Sequence, residues 1–123
     1  MKTDNSQFET ILRKALAFRD ARDWKKYHIP RNLANSIAIE AAEILELFQW
    51  ELEYNRPLAD GERAALADEL ADVMIYCFLL AHEAEIDLYK AIIEKIEKNE
   101  AKYPREKSEW AWKKHKREKN RKE

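Results

Sequence analysis

The sequence predicts an all-α protein, and three features carry that prediction. Apolar residues recur every three to four positions through long segments, as they do on the buried face of a helix. One Gly and three Pro in 123 residues leave few tight turns for a β-sandwich or barrel. The segments are long and their connections short, which is typical of an antiparallel four-helix bundle. We expect one domain over residues 1–104 and a basic, Trp-containing tail over residues 105–123.

Two predicted helices fill the first half of the chain. Ser6-Gln7-Phe8-Glu9 has the pattern of a capping box, and the helix that it begins is expected to end near Trp24. The segment that leads to Pro30 interrupts the helical pattern, because a residue before proline disfavours the α region. The second helix is expected from about Asn32 to about Glu53.

Two further helices fill the second half. Asn, Pro and Gly residues mark a loop over residues 54–61. Asp60 is the expected N-cap of a third helix, which should end near Glu85. Asp87 is the expected cap of the fourth helix, and Tyr103-Pro104 should end it.

Composition excludes several classes of protein. The single Cys rules out a disulfide framework and an all-Cys zinc site. No 18-residue apolar run or signal-peptide core is present, so we expect a cytoplasmic protein with no membrane segment. Residues 105–123 hold nine Lys/Arg and four Asp/Glu, whereas the first 104 residues hold 14 and 20. Nucleic-acid binding is not expected, because the acidic domain would repel a phosphate backbone.

Four acidic residues occupy equivalent positions on the second and third predicted helices. At about 100° per residue, Glu40 and Glu43 lie on one side of the second helix. Glu69 and Asp72 repeat this arrangement 29 residues later, and an apolar or aromatic residue lies within each pair on the wheel. If the two helices are neighbours, four carboxylates meet.

Carboxylates that crowd together repel one another unless a cation neutralises them. Ligands that are all oxygen favour Mg²⁺, with Mn²⁺ as a substitute, and Mg²⁺ usually acts with phosphorylated substrates. The alternative is that each pair is an ordinary solvated helix face. A di-iron or zinc site is not expected, because Glu-x-x-His pairs and His-Glu-x-x-His are absent.

Five segments together form a specific pattern: Arg22-Asp23-Trp24, His28-x-Pro30-Arg31-Asn32-Leu33, Glu46-Leu47-Phe48-Gln49-Trp50, Asp68-Glu69-Leu70-Ala71-Asp72-Val73-Met74-Ile75-Tyr76 and Lys95-x-x-x-Asn99-x-x-x-Tyr103-Pro104. With the E-x-x-E and E-x-x-D pairs, they resemble the MazG-like superfamily of all-α nucleotide pyrophosphohydrolases, and within it the dCTP pyrophosphatase branch. The likeness covers about residues 8–104.

The resemblance implies hydrolysis of a nucleoside triphosphate to the monophosphate and pyrophosphate, in the clearance of nucleotide pools. It implies that Glu40, Glu43, Glu69 and Asp72 hold Mg²⁺ and are the catalytic carboxylates. One of them, with Glu43 as the first candidate, would orient or deprotonate the attacking water. Ala15 stands where the cytosine-selective relatives have His, so we expect a dCTP-like range that extends to other dNTPs, including dATP.

Further residues are candidates for contacts with the nucleotide. Lys95 and Asn99 project from one face of the fourth helix and suit phosphate or sugar oxygens, as the resemblance also implies. The base and sugar pocket has aromatic and His candidates, since aromatic faces stack on any base. These candidates are Trp24, Trp50, Tyr76 and His28. For each of the six, the alternative is a packing or surface residue.

The apolar surface of the second and third helices exceeds what one short chain can cover. We therefore predict a homo-oligomer, a tetramer built as a dimer of dimers, and the resemblance implies active sites completed by neighbouring chains. Two other classes of function stay open. One is a non-catalytic regulator that binds nucleotide or metal through the same acids. The other is a nucleic-acid-associated helical protein that acts through the tail.

Overall fold

The computed structural model describes residues 5–53 and 55–105. Within these ranges the chain forms helices and no strand, so the all-α prediction is confirmed. The helices are α1 (Ser6–Ala21), α2 (Pro30–Glu46), α3 (Asp60–Glu83) and α4 (Leu88–Lys102), with a 3₁₀ turn at Lys25–Tyr27. None of these helices is long and apolar enough to cross a bilayer.

The chain divides into two compact units between Asp87 and Leu88. The first contains α1, α2 and α3, and the second contains α4. The four-helix bundle and the domain boundary at residue 104 therefore stay predictions. Apart from residue 105, the basic tail lies outside the described residues.

A small apolar core holds the first unit together, and α3 packs against both α1 and α2 around it. Leu33 of α2 is 1% exposed, and Phe78 and Leu79 of α3 are buried as well. The ring of Phe8 on α1 meets the ring of Phe78 edge-on, with centroids 5.0 Å apart. Burial of a side chain of this size stabilises the fold by about 1.5–3 kcal/mol, so these contacts fix the three helices that carry the acids and the cavity described below.

Two helices begin one residue away from the positions that capping patterns predict. The N-cap of α1 is Asn5 rather than Ser6, because the carbonyl of Asn5 already accepts the first helical hydrogen bond. The N-cap of α3 is Ala59, so Asp60 is helical rather than a cap. There the Ala59 amide donates to Oε1 of Glu62 at 3.1 Å, which satisfies one free amide at the helix start.

The ends of α1 and α3 have the same geometry. Asp23 and Glu85 adopt left-handed backbone angles, with φ of 56° and 58°, where glycine is usual. The amide after each of these residues donates to the carbonyl five positions earlier, which is the Schellman arrangement. In α1 this bond joins the Trp24 amide to the Arg19 carbonyl at 3.1 Å. The helix therefore ends at Ala21, three residues before the expected Trp24, and Trp24 is fixed beside its last turn.

The prediction that the second helix continues to about Glu53 is wrong, since α2 ends at Glu46. In residues 47–49 each amide bonds to the carbonyl three positions earlier, which tightens the chain into turns. Trp50 and Leu52 are 84% and 91% exposed. A longer helix would gain little here, because helical stability in proteins comes mostly from packing of an apolar face.

Arg56 fixes the connection that follows these turns. Its guanidinium Nη1 lies 2.7 Å from Oε1 of Glu62 at the start of α3, and it also binds Glu51. Glu62 in turn caps α3 through the Ala59 amide. This arrangement draws the connection against the start of α3, which a straight continuation of α2 would not allow.

Candidate functional site

Three acidic side chains converge where α2 packs against α3. Glu40 and Glu43, one turn apart on α2, meet Glu69 of α3. One carboxylate oxygen from each lies within 4.8 Å of the others, and all three residues are partly buried. The spacing of three residues on α2 places both of its acids on the side that faces α3.

Crowding perturbs the ionisation of this cluster. The pKa of Glu69 is raised to about 7, first by a hydrogen bond with the Glu43 carboxyl, then by burial and by neighbouring negative charges. The pKa of Glu40 is raised as well, first by burial and then by Glu43. A hydrogen bond between two carboxyl groups needs a shared proton, so the fully ionised cluster has none of this stabilisation.

The cluster fits a hard divalent cation. Oε2 of Glu40 and Oε2 of Glu69 are buried, and the described part of the chain offers neither a hydrogen-bond donor. Buried acceptors of this kind are costly to leave unsatisfied. All donor atoms are carboxylate oxygens, which is the ligand set that Mg²⁺ and Mn²⁺ prefer. A cation would satisfy both buried oxygens and offset the repulsion between the three acids.

Asp72, the fourth predicted acid, lies beside this cluster without joining the set within 4.8 Å. Its charge contributes to the raised pKa values of Glu40 and Glu69, so it is close to both. Asp72 also lines a cavity of about 440 Å³. It therefore connects the acids with the space in which a ligand could bind.

The cavity has mainly apolar and aromatic walls. Phe18 of α1, Trp24 of the connection and Tyr76 of α3 line it. The Phe18 and Trp24 rings meet edge-on with centroids 5.7 Å apart. Ala15 is in the wall too, which places this position beside the ligand space. Two of the three predicted aromatic residues, Trp24 and Tyr76, thus share one pocket with an acid from α3.

A buried cation in the cavity wall was not anticipated from the sequence. Arg19 lines the cavity and is only 4% exposed. Its Nη1 donates to Oε1 of Glu83 at 2.8 Å, and its Nε donates to Oδ1 of Asp20 at 2.9 Å. The signal in the sequence was a cation on the apolar side of α1, four residues after Ala15.

His28 lies in the same cavity wall and is partly buried. Burial lowers its pKa, the charge of Arg19 lowers it further, and the charge of Glu83 opposes the change. The imidazole is therefore neutral at pH 7. Its Nδ1 is buried and has no hydrogen-bond partner among residues 5–53 and 55–105.

The remaining predicted residues lie elsewhere. Trp50 follows the end of α2 and is 84% exposed. It is not among the described residues that line the cavity. Lys95 and Asn99 are exposed and lie four residues apart on α4, in the second unit. Contacts of these three residues with a nucleotide stay predictions.

A model of the MazG-like family matches residues 35–119 of this sequence, which is most of the chain. The chain belongs to the MazG-like family. The matched segment includes all four predicted acids, all of α3 and α2 from residue 35 onward, whereas α1 and Trp24 precede it.

Comparisons with individual proteins extend this result. The chain is 40% identical over 99 residues to dCTP pyrophosphatase 1 of Rattus norvegicus and 41% identical over 100 residues to that of Homo sapiens. Each alignment covers 78% of this chain and 58% of the relative, so the chain spans less than two thirds of these relatives. The crystal structure of a pyrophosphatase from Archaeoglobus fulgidus matches with a TM-score of 0.69 and 41% identity, over 85% of this chain and 99% of that one.

Proposed function

We propose that this chain is a Mg²⁺-dependent pyrophosphohydrolase that converts a dCTP-like nucleoside triphosphate to the monophosphate and pyrophosphate. The observation that carries the proposal is the convergence of Glu40, Glu43 and Glu69 beside an aromatic cavity that Asp72 lines. The names of the similar proteins, dCTP pyrophosphatase 1 and a pyrophosphatase, support the same reaction.

The four acids would hold the metal, with Glu40 and Glu69 supplying the buried oxygens to which no described residue donates a hydrogen bond. When bound, Mg²⁺ supplies charge neutralisation on the phosphate oxygens as negative charge develops there. Mn²⁺ would substitute, because it accepts the same oxygen ligands.

Glu43 is the residue that we assign to the attacking water. It neighbours both Glu40 and Glu69, and it can accept a hydrogen bond from a water held among them. The water oxygen bonds to one phosphorus of the α–β anhydride, and the bridging oxygen leaves with the electron pair of the broken bond. The proton released from water passes to the Glu43 carboxylate.

The cavity would hold the base and sugar. A volume of about 440 Å³ lies within the range of small-molecule pockets, and the Trp24 and Tyr76 rings offer stacking surfaces. Ala15 leaves room in the wall, so we propose a range that includes dCTP and extends to dATP. Lys95 and Asn99 would contact phosphate or sugar oxygens. The role in nucleotide-pool clearance and the cytoplasmic location stay predictions from the sequence.

A homo-oligomer is part of the proposal. Leu45 on α2 is 72% exposed and Ile39 is 61% exposed, and Trp50 and Leu52 are more exposed still. These exposed apolar side chains along one segment support the proposal of an interaction surface. We propose a tetramer built as a dimer of dimers, and light scattering that finds only monomer would contradict it.

A substrate panel tests the proposed reaction. Pyrophosphate release is measured for dCTP, dTTP, dGTP and dATP with Mg²⁺, with Mn²⁺ and with a chelator. We expect turnover with either metal, highest for dCTP, and none with the chelator. Tight nucleotide binding without pyrophosphate release would instead favour a non-catalytic regulator. Binding of a partner that depends on residues 105–123 and not on the acids would favour the nucleic-acid-associated class.

A further inference from the structure

Arg19 is a buried cation in the wall of the cavity in which we place the base and sugar. We propose that Arg19 is a specificity-determining residue: its guanidinium, positioned by Glu83, donates a hydrogen bond to a carbonyl oxygen of the nucleobase. This inference rests on the proposed function and adds a base-reading residue to the same site.

The guanidinium is held in a fixed orientation. Glu83 of α3 binds Nη1 at 2.8 Å, and Asp20 binds Nε at 2.9 Å. The Arg19 side chain is 5% exposed, against 23% for Glu83 and 57% for Asp20. These two contacts use two of the five N–H donors of the group, and Arg19 lines the cavity, so the proposed contact with the base uses one of the other three.

The position of the guanidinium along α3 suits the length of a nucleotide. Asp72, on the acidic side, and Glu83, which holds Arg19, are separated by about 16 Å of helix axis at 1.5 Å per residue. Tyr76 lies between them and also lines the cavity. A nucleotide with its phosphates at the acids and its base over the aromatic side chains would extend towards Arg19.

The hydrogen-bond donors of the Arg19 guanidinium favour some bases over others. A guanidinium only donates hydrogen bonds, so it pairs with the carbonyl oxygens of cytosine, thymine and guanine. Adenine has no carbonyl: its acceptors are ring nitrogens at other positions, and its exocyclic amino group is a donor that repels a guanidinium placed to meet a carbonyl. His28, neutral beside Arg19, adds no competing positive charge. The site should therefore accept dATP but prefer dCTP to it.

A purely structural role for the ion pair makes a different prediction. Arg19 and Glu83 also tie α1 to α3, and loss of that tie would impair every substrate equally. The test uses the Arg19→Met/Glu83→Gln double variant, which removes both charges and leaves no unpaired buried ion. The kcat/KM values for dCTP, for dATP and for a base-free deoxyribose triphosphate are compared with those of the wild type.

We expect the ratio of kcat/KM for dCTP to kcat/KM for dATP to fall about 10-fold, because a good contact between a side chain and a base discriminates between bases by that order. The kcat/KM for the base-free substrate should change less than about twofold. An equal loss for all three substrates, or an unchanged ratio, overturns the inference. If the double variant does not fold by circular dichroism, Arg19→Lys decides by the same ratio, because Lys keeps the charge and lacks the planar donor fork.

Failure of the proposed function would be seen separately. If the wild type releases no pyrophosphate from any substrate, the proposed reaction is wrong. The base-reading inference is then decided by calorimetric binding of dCMP and dAMP to the wild type and to the double variant. A preference for dCMP that the variant loses supports it, and equal binding of the two by the wild type overturns it.

Discussion

Glu43 of α2 and Glu69 of α3 meet across the contact between their helices, and the hydrogen bond that their carboxyl groups share is the first cause of a Glu69 pKa of about 7. The packing of the two helices thus determines the charge state of the site. Near neutral pH the cluster holds a proton, or it holds a cation in the place of that proton. The predictions below follow from this relationship and from the cavity beside it.

Glu69→Gln tests the acids directly. The amide keeps the size of the side chain but is a poor ligand for Mg²⁺ and removes a negative charge, so pyrophosphate release from dCTP should fall at least about 100-fold. Glu9→Gln, an exposed residue in the first turn of α1, is the matched control and should stay within twofold of the wild type. Equal activity of Glu69→Gln and the control would exclude Glu69 from the reaction.

The stability of the metal-free protein should depend on the Glu69 carboxyl. The pKa of this carboxyl is about 7 in the folded chain, whereas its ordinary value, which applies to the unfolded chain, is 4.5. Between these two pH values the folded state therefore binds a proton that the unfolded state does not. The free energy of unfolding therefore rises as pH falls from about 7 towards 4.5, and this gain is lost as pH rises through 7. Urea unfolding in a chelator at pH 8, 6 and 5 measures it.

Glu69→Gln should flatten this pH dependence, because the amide does not titrate. The same slope in the variant and the wild type would show that another group is responsible.

The sequence alone predicts which acids share a helix face, because that arrangement depends only on their spacing within one helix. Glu40 and Glu43 share a face at any position within an α-helix, and both fall inside α2. Prediction from the helical period fails where the helix ends: a second helix that continued to about Glu53 would include Trp50, but α2 stops at Glu46. The chain turns there through contacts of Arg56 with Glu51 and Glu62, which lie five and six residues away and do not follow a helical period, so periodicity does not capture them.

Arg19 shows a second limit of reasoning from sequence. Its burial depends on Glu83, 64 positions away, and no local pattern pairs the two. The apolar stripe of α1 predicts a core position there, and a charge at such a position is stable only when a distant partner supplies the compensation. The predicted roles of Lys95 and Asn99 likewise depend on residues outside their own helix, which the pattern of one helix does not identify.

Trp24→Ala tests the proposed base pocket. Trp24 lines the cavity and is 43% exposed, so its loss should cost little stability but should remove stacking on the base. Stacking of a base on an aromatic side chain is worth about 1–3 kcal/mol, so kcat/KM for dCTP should fall about 10- to 100-fold. Trp24→Phe should recover most of this loss. Full activity of Trp24→Ala would place the base elsewhere.

Glu85→Gly tests the end of α3. A side chain in the left-handed conformation costs about 1–2 kcal/mol, and glycine adopts it freely, although glycine also gains entropy in the unfolded chain. We expect the variant to be more stable by about 0.5–1 kcal/mol in urea unfolding, the net of these two effects. Glu85→Ala keeps a side chain at this position and serves as the control. If Glu85→Gly destabilised the protein, the Schellman geometry of this turn would be wrong.

The most direct measurement for the metal site is a titration with Mn²⁺ followed by electron paramagnetic resonance, in which free and bound Mn²⁺ are distinguished without any substrate. We predict at least one bound Mn²⁺ per wild-type chain, displaced by excess Mg²⁺ and lost in Glu69→Gln, with Glu9→Gln unchanged. A wild type that binds no Mn²⁺, or a Glu69→Gln variant that binds it equally well, would contradict the claim that the acids between α2 and α3 hold a divalent cation.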